Sequence, residues 1–170
     1  LPGEKYTPLE ADLALGSFGK LHAGAGAEWR GASAGYHARV EYQRAVNDFP
    51  YTMQGNDGQD TTMRRSNAGF SRASLIQGAW LRIGRHSILT IDSWFRRSFR
   101  ELPRNILAYA SGLNESLRES GGVHVASFST RDEQTSLSLS LAFRHQGYTY
   151  EYLAASARTN TDAQGGSLRL

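Results

Sequence analysis

The stretch 135–158 constrains the fold more than any other part of the chain. Large apolar residues alternate with serines and an alanine over positions 137–143, and three tyrosines occupy alternate positions from 148 to 152. A side-chain period of two indicates β-strands, and the intervening His145-Gln146-Gly147 predicts the turn of a hairpin. Apolar residues opposite small polar ones, with aromatics beside the turn, are typical of strands in a transmembrane β-barrel.

The same alternation recurs along the chain and predicts further strands. They span 8–16, 20–30, 35–45, 70–83 and 87–99. The hairpin around 145–147 supplies strands six and seven, and residues 167–170 are read as the start of an eighth. The pattern therefore predicts an all-β fold, specifically an antiparallel up-and-down transmembrane β-barrel.

The lengths of the connections alternate after a first tight turn at 16–19. Short connections at 31–34, 84–86 and 145–147 are separated by longer ones, which span 46–68, 100–130 and 160–166. Successive connections of a meander lie at opposite ends, so the short ones share one end. Outer-membrane barrels have short periplasmic turns and longer extracellular loops. This sorting favours such a barrel over a soluble β-sandwich binding module, which remains an alternative.

Composition excludes several other classes. The chain has no cysteine, so disulfides and Cys-ligated metals are excluded. No apolar run of about 20 residues predicts a transmembrane helix. Lys and Arg are scattered among Asp and Glu despite a net charge of +3, and we expect no nucleic-acid binding. No hydrolase, phosphate-loop or metalloprotease motif is present, so we expect no enzymatic activity. We recognise no signal peptide, and expect any export signal to lie outside these residues.

The predicted strands are better suited to part of a large barrel than to a complete small one. The segment 167–170 is far shorter than the roughly 9–11 residues a spanning strand needs. Glycines and serines on the polar face are too small to fill an eight-stranded barrel. We therefore expect residues 1–170 to form about seven to eight strands of one larger outer-membrane barrel domain. A small structural or adhesive outer-membrane barrel is the alternative.

With the strands placed, the sequence resembles the early barrel of TonB-dependent outer-membrane receptors, in particular cobalamin-receptor-like members. The resemblance is carried by LALGSFGK at 13–20, EYQR at 41–44, NDFPY at 47–51, RSNAGF at 65–70 and RSFRELP at 97–103. In that family a similar turn opens the barrel just after the plug domain, and many members leave the fifth strand with a motif ending in Leu-Pro.

The resemblance implies a bacterial outer-membrane location and a barrel of 22 strands around an N-terminal plug. It implies import of a scarce, large nutrient, with a corrinoid such as vitamin B12 preferred over a ferric siderophore. The implied partners are outer-membrane lipid, the protein's own plug domain and the TonB energy-coupling protein. Neither a plug nor a TonB-box peptide is recognisable in these residues, so we expect both to lie outside them.

The long connection 46–68 carries the candidate ligand-binding residues. Asp48, Phe49 and Tyr51 offer polar groups and aromatic faces for a ligand vestibule, or they pack on one another and pin the loop to the barrel rim. Arg64 and Arg65 suit an anionic ligand or a lipopolysaccharide phosphate, although a solvated pair is the simpler interpretation.

Two further groups of residues are candidates for calcium and for membrane contact. Asp57 and Asp60 lie in a run with oxygen ligands at alternate positions, as in a calcium loop, although Asn, Asp and Gly are also turn formers. The resemblance adds weight, because cobalamin-receptor-like members bind calcium in this region. Calcium is the one candidate cofactor, and none is required. Four aromatics placed near the turns predict a periplasmic aromatic girdle: Trp29, Tyr36, Tyr148 and Tyr150.

Overall fold

Ten β-strands account for nearly all of the chain that a computed structural model describes, namely residues 9–55, 58–103, 115–132, 134–152 and 157–169. They are β1 (Leu9–Gly16), β2 (Lys20–Arg30), β3 (Ala34–Ala45), β4 (Pro50–Gln54), β5 (Asp60–Arg64), β6 (Phe70–Ile83), β7 (Ser87–Leu102), β8 (Glu115–Arg131), β9 (Ser136–Tyr152) and β10 (Ala157–Arg169). Within these described ranges no helix is long and apolar enough to cross a membrane.

Eight strands form one antiparallel sheet in the order β1-β2-β3-β6-β7-β8-β9-β10, and β4 and β5 form a separate hairpin. The prediction of an all-β, antiparallel fold is therefore confirmed. Each strand of the large sheet pairs with its neighbours along the chain once the β4–β5 hairpin is set aside. The outer strands β1 and β10 do not pair with each other among the described residues, so the sheet is open.

The connections lie at two distinct ends of the sheet. The short-turn end, as we name it, carries residues 31–33, 84–86 and 132–135. At the opposite end, which we call the rim, β1 is followed by β2, β3 by β6, β7 by β8 and β9 by β10. The two longest intervals between neighbouring strands of the large sheet, after β3 and after β7, both fall at the rim, as the sequence predicted. The rim also has the short turn 17–19, the predicted long connection 160–166 lies within β10, and the third short turn is at 132–135 and not at 145–147.

The strand register separates the side chains into two faces of different chemistry. The apolar face, as we define it, carries the odd-numbered residues of β1, β2, β6, β7 and β9 and the even-numbered residues of β3, β8 and β10. The polar face carries the other residues of these strands. Large apolar side chains of the sheet that are exposed lie on the apolar face, apart from Ile76 and Ile88.

The described residues contain almost no hydrophobic core. Ala45 is the one buried apolar side chain among them, and none of their polar or charged side chains is buried. Leu13, Leu137 and Leu141 are instead 70%, 50% and 56% exposed. A layer of sheet needs a second layer or another apolar medium against its hydrophobic face. The described sheet lacks a second protein layer on either face.

One arginine links the first three strands on the polar face. Arg39 of β3 reaches across β2 to Glu10 Oε1 of β1 at 2.6 Å and also pairs with Asp12. Its Nε donates to Glu41 Oε1 at 2.9 Å. Glycine in β2 makes this reach possible, because a Cβ at Gly24 would lie 2.6 Å from Asp12 Oδ1 and 2.7 Å from Arg39 Nη2.

The structure corrects the prediction of a turn at 145–147. These residues lie inside β9, which is continuous from Ser136 to Tyr152. A Cβ at Gly147 would meet Asp162 Oδ1 of the paired strand at 2.8 Å, so this glycine accommodates a cross-strand neighbour. The true turn begins at Asp132, whose carboxylate accepts the Gln134 backbone N–H at 3.0 Å.

The predicted loop 160–166 is wrong, and the predicted loop 100–130 is wrong in part. Residues 115–131 form β8 and residues 157–169 form β10, so the segment 167–169 ends a full strand and does not begin one; Leu170 lies outside the described residues. In β8, Val123 and Val125 fall on the polar face and Ala126 and Phe128 on the apolar face, which masks the alternation. In β10, Leu168 is the single large apolar residue.

We expect the Gly24→Val substitution to destabilise the sheet. A branched side chain at this position must displace Asp12 and Arg39, and overpacking of occupied space costs about 1–3 kcal/mol. The midpoint of urea denaturation, followed by tryptophan fluorescence, should fall. The neighbouring Ala25→Val substitution places the same branched side chain on the exposed apolar face and is the control. Equal midpoints for the two variants would contradict this account.

Candidate functional site

The connection between β3 and β6 is not an irregular loop, because it contains the β4–β5 hairpin. The hairpin pairs Pro50–Gln54 with Asp60–Arg64. Its base is held at the rim by the turn between β1 and β2, where the Phe18 carbonyl accepts the backbone N–H groups of Val46 and Asn47, both at 3.1 Å. Phe18 and Asn47 adopt φ values of 58° and 57°, so both peptides are fixed in the left-handed region.

An aromatic contact holds the base of the hairpin against this turn. The Phe49 ring meets the Phe18 ring edge to face, with centroids 6.0 Å apart. The Arg65 guanidinium lies over the Phe49 ring, 5.6 Å from its centroid. The Arg65 backbone N–H also donates to the Phe49 carbonyl at 3.0 Å. Phe49 and Arg65 therefore hold the base of the hairpin against the turn between β1 and β2.

The other predicted ligand residues lie beside this contact. Arg64 Nη1 pairs with Asp48 Oδ2 at 2.9 Å across the base of the hairpin, where the Arg64 side chain is 70% exposed. Tyr51 occupies the next rung opposite Met63, with its hydroxyl 3.9 Å from the Met63 sulfur. The structure thus brings the predicted residues together at the hairpin. There Arg64 pairs with Asp48, and Arg65 lies over the Phe49 ring.

A second set of contacts joins the hairpin to the ends of β7 and β8. Asn67 Nδ2 donates to the Leu102 carbonyl at 2.8 Å and to the Glu115 carbonyl at 3.1 Å. Glu101 Oε2 accepts the Gly69 backbone N–H at 2.8 Å, and the Glu101 N–H donates to the Gly69 carbonyl at 2.8 Å. Asn67 therefore links the two strand ends on either side of the connection 103–114.

These contacts at Phe18, Asn47, Asn67 and Glu101 were not predicted from the sequence. Asparagine is enriched among residues that tolerate a positive φ, and both Asn47 and Asn67 flank the hairpin with φ values of 57° and 52°. The position of each asparagine just outside a run of strand residues was the available signal. The backbone carbonyl that each asparagine side chain contacts is set by the pairing of strands that are distant in sequence.

The calcium candidates are only partly placed by the structure. Asp60 begins β5, is exposed and pairs with Gln54. Asp57 lies outside the described residues. The described residues contain no group of three or more His, Cys, Asp or Glu side chains arranged to hold a metal ion. Calcium binding therefore stays a prediction.

The four aromatic residues of the predicted girdle do not form one band. Trp29 and Tyr36 are cross-strand partners on the apolar face at the short-turn end, and they are 57% and 45% exposed. Tyr148 and Tyr150 lie on the polar face, near the rim end of β9. Their placement with the girdle depended on the turn at 145–147, which the continuous β9 removes.

No protein-family model matches the chain, and no curated protein matches it at a significant level.

We expect Phe49→Ala to loosen the hairpin without unfolding the sheet. The edge-to-face ring pair contributes about 0.5–1.5 kcal/mol and an exposed cation–π contact about 0.5–1 kcal/mol. Amide hydrogen exchange in β4 and β5 should accelerate about tenfold, because local opening no longer breaks these contacts. Thr52→Ala, an exposed change within β4, is the control. Unchanged exchange in Phe49→Ala would show that the ring does not hold the hairpin.

Proposed function

We propose that this chain is part of the wall of a TonB-dependent outer-membrane receptor that imports a scarce, large nutrient. The observation that carries the proposal is an apolar band that crosses an open, coreless sheet at a slant. The apolar residues of a barrel must follow the plane of the membrane, and strands that tilt relative to the membrane normal are crossed obliquely by that plane.

The slant can be measured from the strand register. When the paired residues are followed from strand to strand, starting at Leu21 of β2, the corresponding residue of β9 is Thr149. In β9 the apolar residues begin only at Phe143, six residues further toward the short-turn end. The same edge lies at Tyr42 in β3 and at Leu75 in β6. From β2 through β3 and β6 to β9 the edge of the band therefore lies progressively further toward the short-turn end, whereas Phe99 of β7 lies in the same row of paired residues as Leu21, outside the band.

This displacement corresponds to the strand tilt of a membrane barrel. Six residues at about 3.3 Å each make about 20 Å, and five steps between neighbouring strands at about 4.8 Å make about 24 Å. The band therefore crosses the strands at about 40° from the perpendicular, and strands of outer-membrane barrels tilt by about 35–45°. A lipid layer supplies the apolar medium that the apolar face requires.

A barrel larger than eight strands accounts for the polar face and the edges. Gly24, Gly26 and Gly78 bring no side chain to the polar face, and Asp12, Glu10 and Asp92 of the neighbouring strands lie over them with no second protein layer above within the described residues. An eight-stranded barrel fills its interior with its own side chains, whereas a larger barrel holds a plug or water there. The unpaired outer edges of β1 and β10 would each join a further strand of the same barrel.

The receptor assignment is supported by where the resemblance stretches lie. The stretches 13–20 and 47–51 meet through Phe18 and Phe49, and the stretches 65–70 and 97–103 meet through Asn67 and Leu102. Both contacts are at the rim, beside the hairpin of β4 and β5. In a receptor this end is extracellular, so the hairpin would be presented to a ligand outside the cell.

We expect membrane integration to depend on which face receives a charge. Leu139→Arg places a guanidinium on the lipid side near the middle of the band, at a cost of about 2–4 kcal/mol. Ser138→Arg, one residue away, places the same group on the polar face. The folded protein recovered in outer membranes, measured by heat-modifiable gel migration, should fall for Leu139→Arg and stay near normal for Ser138→Arg. The reverse order would exclude the membrane assignment.

We expect the protein, as its gene encodes it, to bind a corrinoid in detergent. Cyanocobalamin is the first probe, with a ferric siderophore as the second, and each is titrated with calcium and with a chelator. Saturable binding of either nutrient supports import, and loss of binding with the chelator would assign the Asp57–Asp60 region to calcium. A folded outer-membrane protein that binds neither, and whose gene encodes no plug domain, would be a structural barrel instead.

A further inference from the structure

Two grooves meet on the apolar face, and their chemistry is complementary. One, of about 680 Å³, is lined by residues of β2, β3, β6, β7, β8 and β9. The other, of about 730 Å³, lies nearer the rim across β7, β8, β9 and β10. Both are lined by Arg97 and Ser120, so the apolar groove leads directly into the polar one.

Small side chains form the floor of the apolar groove. Ala23 and Ala25 of β2 and Ala73 of β6 leave a depression beside larger neighbours. Tyr42 and Phe95 stand at its sides on the same face. A depression of this kind on a lipid-exposed wall fits a hydrocarbon chain, because dispersion contacts with both sides exceed those available on a flat surface.

Three arginines line the polar groove: Arg97, Arg118 and Arg158. The Arg118 and Arg158 side chains are 54% and 62% exposed, so their guanidinium groups are accessible. The Arg118 guanidinium is held 5.2 Å from the Phe99 ring centroid, just beyond the apolar band. Guanidinium groups bind phosphate with paired hydrogen bonds, which gives geometric specificity as well as charge.

Carboxylates in the groove offset only part of this charge. Glu151 lies between Arg118 and Arg158, at 4.0 Å and 3.8 Å. Asp162 is on the same face, opposite Gly147. Glu119 also borders the groove, but its carboxylate accepts a hydrogen bond from Ser98 on the polar face at 2.9 Å. The described side chains of the apolar face thus leave an excess of positive charge here, and Arg97 has no ion pair within them.

We infer that these joined grooves bind one phosphorylated lipid of the outer leaflet. Its phosphate would lie on Arg97, Arg118 and Arg158, and one hydrocarbon chain would lie over Ala23, Ala25 and Ala73. The site rests on the proposed function, because it requires the apolar face to contact lipid and the rim to be the outer side. Neither groove is involved in nutrient capture, since both open on the lipid side of the wall.

The test is lipid binding to the detergent-purified protein, measured by native mass spectrometry. Bisphosphorylated lipid A is the probe, with its dephosphorylated form and inorganic phosphate as comparisons. A triple substitution, Arg97→Gln, Arg118→Gln and Arg158→Gln, should weaken lipid A binding at least about tenfold, because charge-assisted hydrogen bonds to phosphate are lost. Inorganic phosphate should bind weakly to the unmodified protein, since it cannot occupy the apolar groove.

Two control variants separate this site from general charge attraction. Arg72→Gln, Arg82→Gln and Arg100→Gln remove the same charge from the polar face of β6 and β7, outside both grooves, and should leave lipid A binding unchanged. Ala73→Phe fills the apolar groove and should weaken lipid A binding while leaving all three arginines in place. Equal affinity of the first triple variant and the unmodified protein, or equal loss in both triple variants, would overturn the inference.

The outcome is distinguishable from failure of the proposed function. Recovery of the protein in the water-soluble fraction would overturn both proposals. Recovery in the outer membrane, with a lipid A affinity that the substitutions leave unchanged, would overturn this inference alone. Corrinoid or siderophore binding is read separately, and its absence does not bear on the lipid site.

Discussion

The structure depends on a sheet whose neighbouring strands are hydrogen-bonded throughout, except at the outer edges of β1 and β10. The side chains of the described sheet have few other side chains to pack against. Backbone hydrogen bonds between neighbouring strands satisfy the main-chain groups of the sheet interior. They do not supply the burial that stabilises ordinary domains, since Ala45 is the one buried apolar side chain among the described residues. The surroundings of the apolar face must therefore supply that stabilisation, and this requirement leads to the lipid proposal.

The polar face meets a different constraint, because charges must reach one another across strands. Arg39 spans β2 to pair with Glu10 and Asp12, and it can do so because Gly24 and Gly26 carry no side chain. Exposed ion pairs contribute little individually. In an enclosed, partly dehydrated interior the same pairs are screened less, so the arrangement suits the inside of a barrel better than open solvent. Glycine here permits contact between charges and does not mark turns.

The sequence was informative wherever one face of a strand was uniformly apolar. The first five predicted strands agree with the structure to within a few residues. In each of them apolar residues, such as Leu21 in β2, Val40 in β3 and Leu89 in β7, belong to a pattern with a period of two. Prediction failed in β8 and β10, where neither face is uniformly apolar. It also failed at Gly147, since a glycine that admits Asp162 from the next strand looks the same in sequence as a turn glycine.

The candidate site shows the limit of local patterns most clearly. The sequence picked out Asp48, Phe49, Tyr51, Arg64 and Arg65 by residue type, and the structure brings them to one hairpin base. It could not give the contacts of Phe18 or Asn67, because each depends on strands distant in sequence being neighbours in the sheet.

The contacts at the rim make the position of the hairpin depend on the register of the sheet. A one-residue slip between neighbouring strands would exchange the two faces of the slipped strand and move the carbonyls that Asn67 links. The position of the hairpin and the apolar band are thus set by the same pairings. Under the proposed membrane assignment, the pairings that place the apolar band in lipid would also present the hairpin at the outer end, with no further element needed to orient it.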